Sequence, residues 1–93
     1  MNVAELKLKL DEQGIHPGEY SLNGEKHPDA LILEERGLIG EWVVYIWERN
    51  KEVDLKIFIT EDFACKYIYD YYVSLYSHMP EELRARYKAL FRK

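Results

Sequence analysis

The 93 residues fit one domain on a single core, which excludes multi-domain cofactor enzymes. Hydrophobic residues make up 47% and charged residues 32%, the balance of a folded domain rather than a disordered tail, and the longest apolar run, the six residues from Trp42 to Trp47, is far below the ~20 that a membrane helix needs. The formal charge of -4 conceals a polarity: Arg84, Arg86, Lys88, Arg92 and Lys93 stand without an acid in residues 83–93, which leaves 8 bases against all 17 acids in residues 1–82, a net charge of -9. An acidic body repels nucleic acid and attracts basic surfaces, so a basic protein partner is expected. The charged, amphipathic start from Met1 to Lys7 lacks the apolar stretch of a secretory signal, and the lone Cys65 has no internal disulfide partner, so a cytoplasmic location is expected.

Val3, Leu6 and Leu10 recur at helical spacing before Gly14, which predicts a helix over about 2–13. A linker through Pro17 and Gly18 leads to a short extended piece at 19–22. Asn23-Gly24 then gives the strongest tight-hairpin signal, because both residues tolerate positive φ. Three better strands follow at 30–35, 41–49 and 53–60, joined by short connections that imply antiparallel neighbours. The middle one carries Trp42, Val44 and Ile46 on one face and Val43, Tyr45 and Trp47 on the other, so it is central, with one face either covered or used for binding. In the last strand Leu55, Ile57 and Ile59 alternate with Asp54, Lys56 and Phe58 and are expected to point inward.

Thr60 followed by Glu61 and Asp62 is an N-cap with acids in the first turn, predicting a helix over about 61–77 whose wide apolar face holds Ala64, Tyr67, Ile68, Tyr71, Tyr72 and Leu75. Pro80, Glu81 and Glu82 open a basic C-terminal helix over 80–92, with Leu83, Tyr87, Leu90 and Phe91 as a stripe able to dock on Tyr69, Val73 and Tyr76. The expected class is α+β: a four-stranded antiparallel β-meander with an N-terminal helix and two C-terminal helices, in the order α-β-β-β-β-α-α, forming a single domain over 1–93.

The requirements of catalysis find little here. Ser21, Ser74 and Ser77 lack the strand-turn-helix context of a nucleophile, and Cys65 reads more simply as a small residue on a packed helix than as a thiol nucleophile. His16, His27 and His78 lie in predicted loops without metal-ligand spacing, and only His16 and His27 could be brought together. The glycines sit in turns and form no phosphate loop. Glu34 and Glu35 are adjacent on a strand and point to opposite faces, which suits a charged surface better than an acid/base couple. No catalytic, metal or cofactor role is assigned. Eight tyrosines, five of them within 67–76, and Trp47, Tyr45 and Arg49 supply side chains typical of interface centres.

Three stretches carry a family likeness: Pro17-Gly18-Glu19-Tyr20-Ser21-Leu22-Asn23-Gly24, Trp42-Val43-Val44-Tyr45 with Glu48-Arg49-Asn50, and Phe58-Ile59-Thr60-Glu61-Asp62-Phe63-Ala64-Cys65. Over about residues 5–75 the chain resembles small bacterial immunity proteins, encoded beside the toxins of polymorphic and contact-dependent growth inhibition systems. The family pattern looks to have Gly where Asn50 stands, and Asn also accepts a left-handed turn. The resemblance implies an antitoxin that binds a cognate toxin C-terminal domain in the cytoplasm and blocks or distorts its active site. Many such toxins are nucleases with basic clefts, to which an acidic, aromatic surface is complementary. The expected toxin-binding residues are Glu34, Glu35, Glu48, Asp54 and Asp70 for charge, with Trp47, Arg49 and Tyr69 as anchors. The alternative is a small nucleic-acid-binding or regulatory module using the basic C-terminal helix. A third reading, a minimal enzyme, rests on Cys65 or the His16 and His27 pair.

Overall fold

The computed structural model describes residues 1–37 and 40–90, apart from the side chains of residues 84 and 87–90. Helix α1 spans Val3–Glu12, started by a reciprocal capping box in which the Asn2 side chain accepts from the Glu5 amide at 2.8 Å and Glu5 accepts from the Asn2 amide. A short 3₁₀ turn at Pro17–Glu19, capped by His16, leads into strand β1, Tyr20–Ser21. Strands β2 (Ala30–Arg36), β3 (Glu41–Glu48) and β4 (Lys51–Phe58) follow, then α2 (Glu61–Ser77) and α3 (Glu81–Leu90).

The architecture is α+β with a four-stranded sheet in the order β1-β2-β3-β4, but the sheet is mixed rather than an antiparallel meander, and the 3₁₀ turn adds to the expected helices. β1 runs parallel to β2, with Tyr20 opposite Leu31 and Ser21 opposite Ile32. The Asn23-Gly24 hairpin does not form. The direction of β1 is set by what holds the chain before it. Tyr72 donates its hydroxyl proton to the Glu19 carbonyl at 2.8 Å, and the buried Tyr20 ring packs edge-on to Tyr72 with centroids 6.4 Å apart. Beyond β1 the Gly24 amide donates to the Leu33 carbonyl at 3.0 Å, keeping the chain beside β2. Only beyond Gly24 does the chain reverse, through an Asx-type turn in which Asn23 accepts from the Glu25 amide. Gly24 is required there: its φ is +81°, and an added Cβ would lie 3.2 Å from the Glu34 Cβ.

β2, β3 and β4 are antiparallel, and β3 and β4 are joined by a two-residue turn in which Arg49 and Asn50 have φ of 51° and 62°. β4 contains a bulge. Val44 pairs with Lys56 and Ile46 with Val53, so Asp54 and Leu55 together face the single residue Tyr45, and Asp54 has a φ of 55°. One extra residue inverts the alternation beyond it. Phe58 turns to the helices and packs against Tyr67, the rings tilted at 41° with centroids 5.3 Å apart, while Leu55, Ile57 and Ile59, expected inside, are exposed.

The main core joins one sheet face to α1 and α2: Leu31, Leu33 and Val44 meet Leu6, Leu10, Ile15, Ala64, Cys65, Ile68, Tyr72 and Tyr76. The buried stripe of α2 is rotated from the expected face toward Cys65 and Tyr76, which leaves Tyr71 and Leu75 exposed. Thr60 accepts from the Phe63 amide at 3.2 Å as the N-cap, and Glu61 ties the two helix starts together by accepting from the Val3 amide at 2.8 Å. Leu83 is exposed; of the rest of the stripe expected to dock on Tyr69, Val73 and Tyr76, the side chains of Tyr87 and Leu90, and Phe91, lie outside what the structure describes.

The Tyr72 hydroxyl is the buried polar link between α2 and the 3₁₀ turn. Tyr72→Phe strands the Glu19 carbonyl and is expected to lower the unfolding free energy by about 1–3 kcal/mol, read by urea denaturation.

Candidate functional site

The second face of the sheet is built differently. Ala30 and Ile32 on β2 and Val43 and Tyr45 on β3 form a buried cluster with Trp47 packed against it, and no helix residue belongs to it among the described residues. Its roof is made of long side chains. Arg36 lies over the Tyr45 ring, its guanidinium carbon 5.4 Å from the centroid, and Lys26, from the loop between β1 and β2, places its Nζ 5.4 Å from the Trp47 ring centroid. Alternation along β2 sets Glu34 and Arg36 on this face, and the two-residue turn brings Glu52 opposite Trp47.

These placements make a three-residue ion network. Arg36 donates from Nη2 to Glu34 Oε1, and its fork also engages Glu52, at 2.6 Å to Oε1 and 3.3 Å to Oε2. Glu52 holds the guanidinium more firmly protonated than usual, and Arg36 in turn lowers the Glu52 pKa from its ordinary 4.5. Beneath them the Tyr45 hydroxyl is pushed up to about 12, first by burial and then by Glu34, so it stays protonated at neutral pH. Two carboxylates share one guanidinium, so the cluster retains a net negative charge.

The structure brings together part of the expected set. Glu34 and Trp47 lie on the second face, half-buried, whereas Glu48, the last residue of β3, alternates to the helix side with Val44 and Ile46 and is exposed, and Arg49 is exposed in the β3-β4 turn. Asp54 is exposed at the bulge, and Glu35 is exposed on β2 with its side chain beside Gly40. Tyr69 and Asp70 are on α2, in the layer across the sheet, where Tyr69 packs against the main core with the Lys9 Nζ 5.6 Å from its ring. The eight residues therefore divide between two sides of the molecule. Arg36, Glu52 and Lys26 were missed. The signal for Arg36 was its i+2 spacing from Glu34, and for Glu52 its equal distance with Trp47 from the turn.

Two of the residues suspected of chemistry, Cys65 and His16, are engaged in the fold. Cys65 is wholly buried, and its thiol is pushed up to about 11 chiefly by burial. His16 Nδ1 accepts from the Gly18 amide at 2.9 Å, capping the 3₁₀ turn. His27 borders an open groove of about 630 Å³ between α1 and β1, lined also by Val3, Lys7, Tyr20 and Asn23. Among the described residues no three His, Cys, Asp or Glu side chains gather as a metal site, and no helix is long and apolar enough to cross a membrane. Arg86 is exposed; the side chains of Arg84 and Lys88, and residues 92–93, lie outside the described residues.

No family model, curated protein or solved structure matches the chain.

Two outcomes follow from these environments. Cys65 is expected to react with iodoacetamide at about pH 8 roughly 100-fold more slowly in the folded protein than in urea, by thiolate depletion alone. Glu52 has a lowered folded-state pKa, so the stability it contributes is complete above 4.5 and is lost as the pH falls through the lowered value. Glu52→Gln should therefore lower the denaturation midpoint at about pH 7, with the gap to the parent narrowing as the pH falls below 4.5.

Proposed function

We propose that the protein is an immunity protein that binds a cognate toxin domain, a nuclease with a basic active-site cleft, and occludes that cleft with the second face of its sheet. The observation that carries this reading is the pairing of a helix-free sheet face with acidic and aromatic side chains: Glu34, Glu52 and Trp47 on the face, with Arg49 in the turn beside it. The -9 charge of residues 1–82 supports it by favouring encounter with a basic surface, and the resemblance over residues 5–75 supports it independently of the geometry. The absence of an available nucleophile at Cys65 weighs toward a binding role.

Trp47 is the expected anchor, because a half-buried aromatic held against a packed cluster loses little freedom on binding. The acids supply attraction and orientation. Tyr69 and Asp70, across the sheet, are left outside the contact.

The test is co-expression with the toxin encoded by the neighbouring gene, scored by growth and by binding of the purified pair. The parent restores growth. Trp47→Ala weakens binding at least ~30-fold and Glu48→Lys slows association, whereas Asp70→Lys changes affinity less than about threefold. Failure of the parent to bind or to rescue growth overturns the reading, and loss of binding in Asp70→Lys alone moves the contact to the helical layer.

A further inference from the structure

β4 is an edge strand, and after its bulge it presents aliphatic side chains where edge strands ordinarily carry charge. Leu55 and Ile57 in β4 and Ile59, the residue just after it, are 37%, 61% and 82% exposed, and Ile57 lies on the second face of the sheet opposite Val43. Among the described residues no strand pairs with the outer edge of β4. From these observations we infer that β4 is a self-association edge, pairing antiparallel with β4 of a second copy to make a continuous eight-stranded sheet. This inference goes beyond the toxin-binding reading and does not depend on it.

The spacing of the side chains selects the register. A two-fold pairing centred on Ile57 sets Ile57 against Ile57 and Leu55 against Ile59 in both directions, so the three aliphatics of each copy become one apolar strip of six. On the helix side the same register sets Lys56 against Phe58, and no like charges meet. A pairing centred on Lys56 would set two lysines against each other. One centred on Leu55 would place Asp54, with its left-handed φ of 55°, inside the ladder, where the bulge interrupts pairing. The bulge thus confines pairing to residues 55–59.

Charge favours a second copy at this place and opposes it elsewhere. Residues 1–82 carry a net charge of -9, so most faces of two copies repel each other. β4 holds Lys51 and Lys56 against Glu52 and Asp54 and is neutral. Trp47 stays open in the dimer because β3 takes no part in the new pairing, and Glu52, the β4 member of the Arg36 network, lies outside the paired residues 55–59.

Sedimentation equilibrium of the full chain over about 5–500 µM tests the inference. The parent is expected to show a dimer of twice the 11.1 kDa chain mass, and Ile57→Lys, which sets two cations across the dyad, to remain monomeric with an unchanged circular dichroism spectrum. Ile57→Cys should form an interchain disulfide in air and Lys51→Cys should not, while Cys65 stays buried in both. A parent that is monomeric at every concentration overturns the inference, as does a dimer that survives Ile57→Lys. A monomer whose β4 edge pairs only with an extended segment of another protein overturns it as well. Sedimentation is read without toxin, so its outcome is separate from toxin binding and growth rescue by the parent.

Discussion

Strand β3 carries large apolar side chains on both faces, and the packed helices cover only one of them. Trp42, Val44 and Ile46 turn toward α1 and α2, whose stripes through Leu6, Leu10, Ile68 and Tyr72 complete the main core. Val43, Tyr45 and Trp47 turn the other way, and burying them without a helix falls to whatever the sheet itself can supply. The solution is a roof of long side chains whose stems cover apolar rings and whose charged ends meet water. Arg36 can lie over Tyr45 because Glu34 and Glu52 hold its fork from two strands. The polar network that makes this face a candidate for recognition is thus also what closes its small core.

The bulge in β4 governs the remaining asymmetry. Had the strand continued in simple alternation from Val53, which shares a side with Ile46, Leu55, Ile57 and Ile59 would all have turned toward α2. The extra residue at Asp54 exchanges the faces, so Lys56 and Phe58 turn inward, and both find Tyr67, at 5.9 Å from Nζ to the ring centroid and 5.3 Å between ring centroids. The aliphatics displaced outward, Leu55 and Ile57, lie exposed on the second face at its β4 margin. The sequence hides this exchange, since the alternation of Leu55, Ile57 and Ile59 reads equally well on either face and a bulge at a non-glycine residue has no compositional mark.

What was legible in the sequence follows the range of the interactions involved. Thr60 and its two following acids mark the start of α2 because capping is settled within one turn, and both faces of β3 are visible because alternation is local. Asn23-Gly24 marks a real reversal, yet the partner of the strand before it depends on the Tyr72 hydroxyl, 53 positions from Glu19 in sequence, and so the parallel pairing went unread. The site divides in the same way. Glu34 and Trp47 were found as types suited to an interface, whereas Arg36 and Glu52 matter through a cross-strand ion pair that requires the register. Tyr69 was indistinguishable in composition from an anchor, and only packing shows it committed to the main core.

Charge and packing have separate parts in any recognition on this face. The Arg36 network is already satisfied internally, and its members are partly exposed, so a partner gains little by contacting them unless it displaces one. The long-range field is different, because it sums the net charge of the body and acts before contact, raising the rate at which a basic surface arrives. Residence must then come from desolvated apolar contact, for which Trp47 is the largest side chain at the margin of the small cluster. Lys26 over the indole limits the approach to that ring, so a partner must either meet its remaining edge or replace one cation by another. A basic partner is suited to the second course, since its own Lys or Arg can take the place of Lys26 without leaving the ring without a cation.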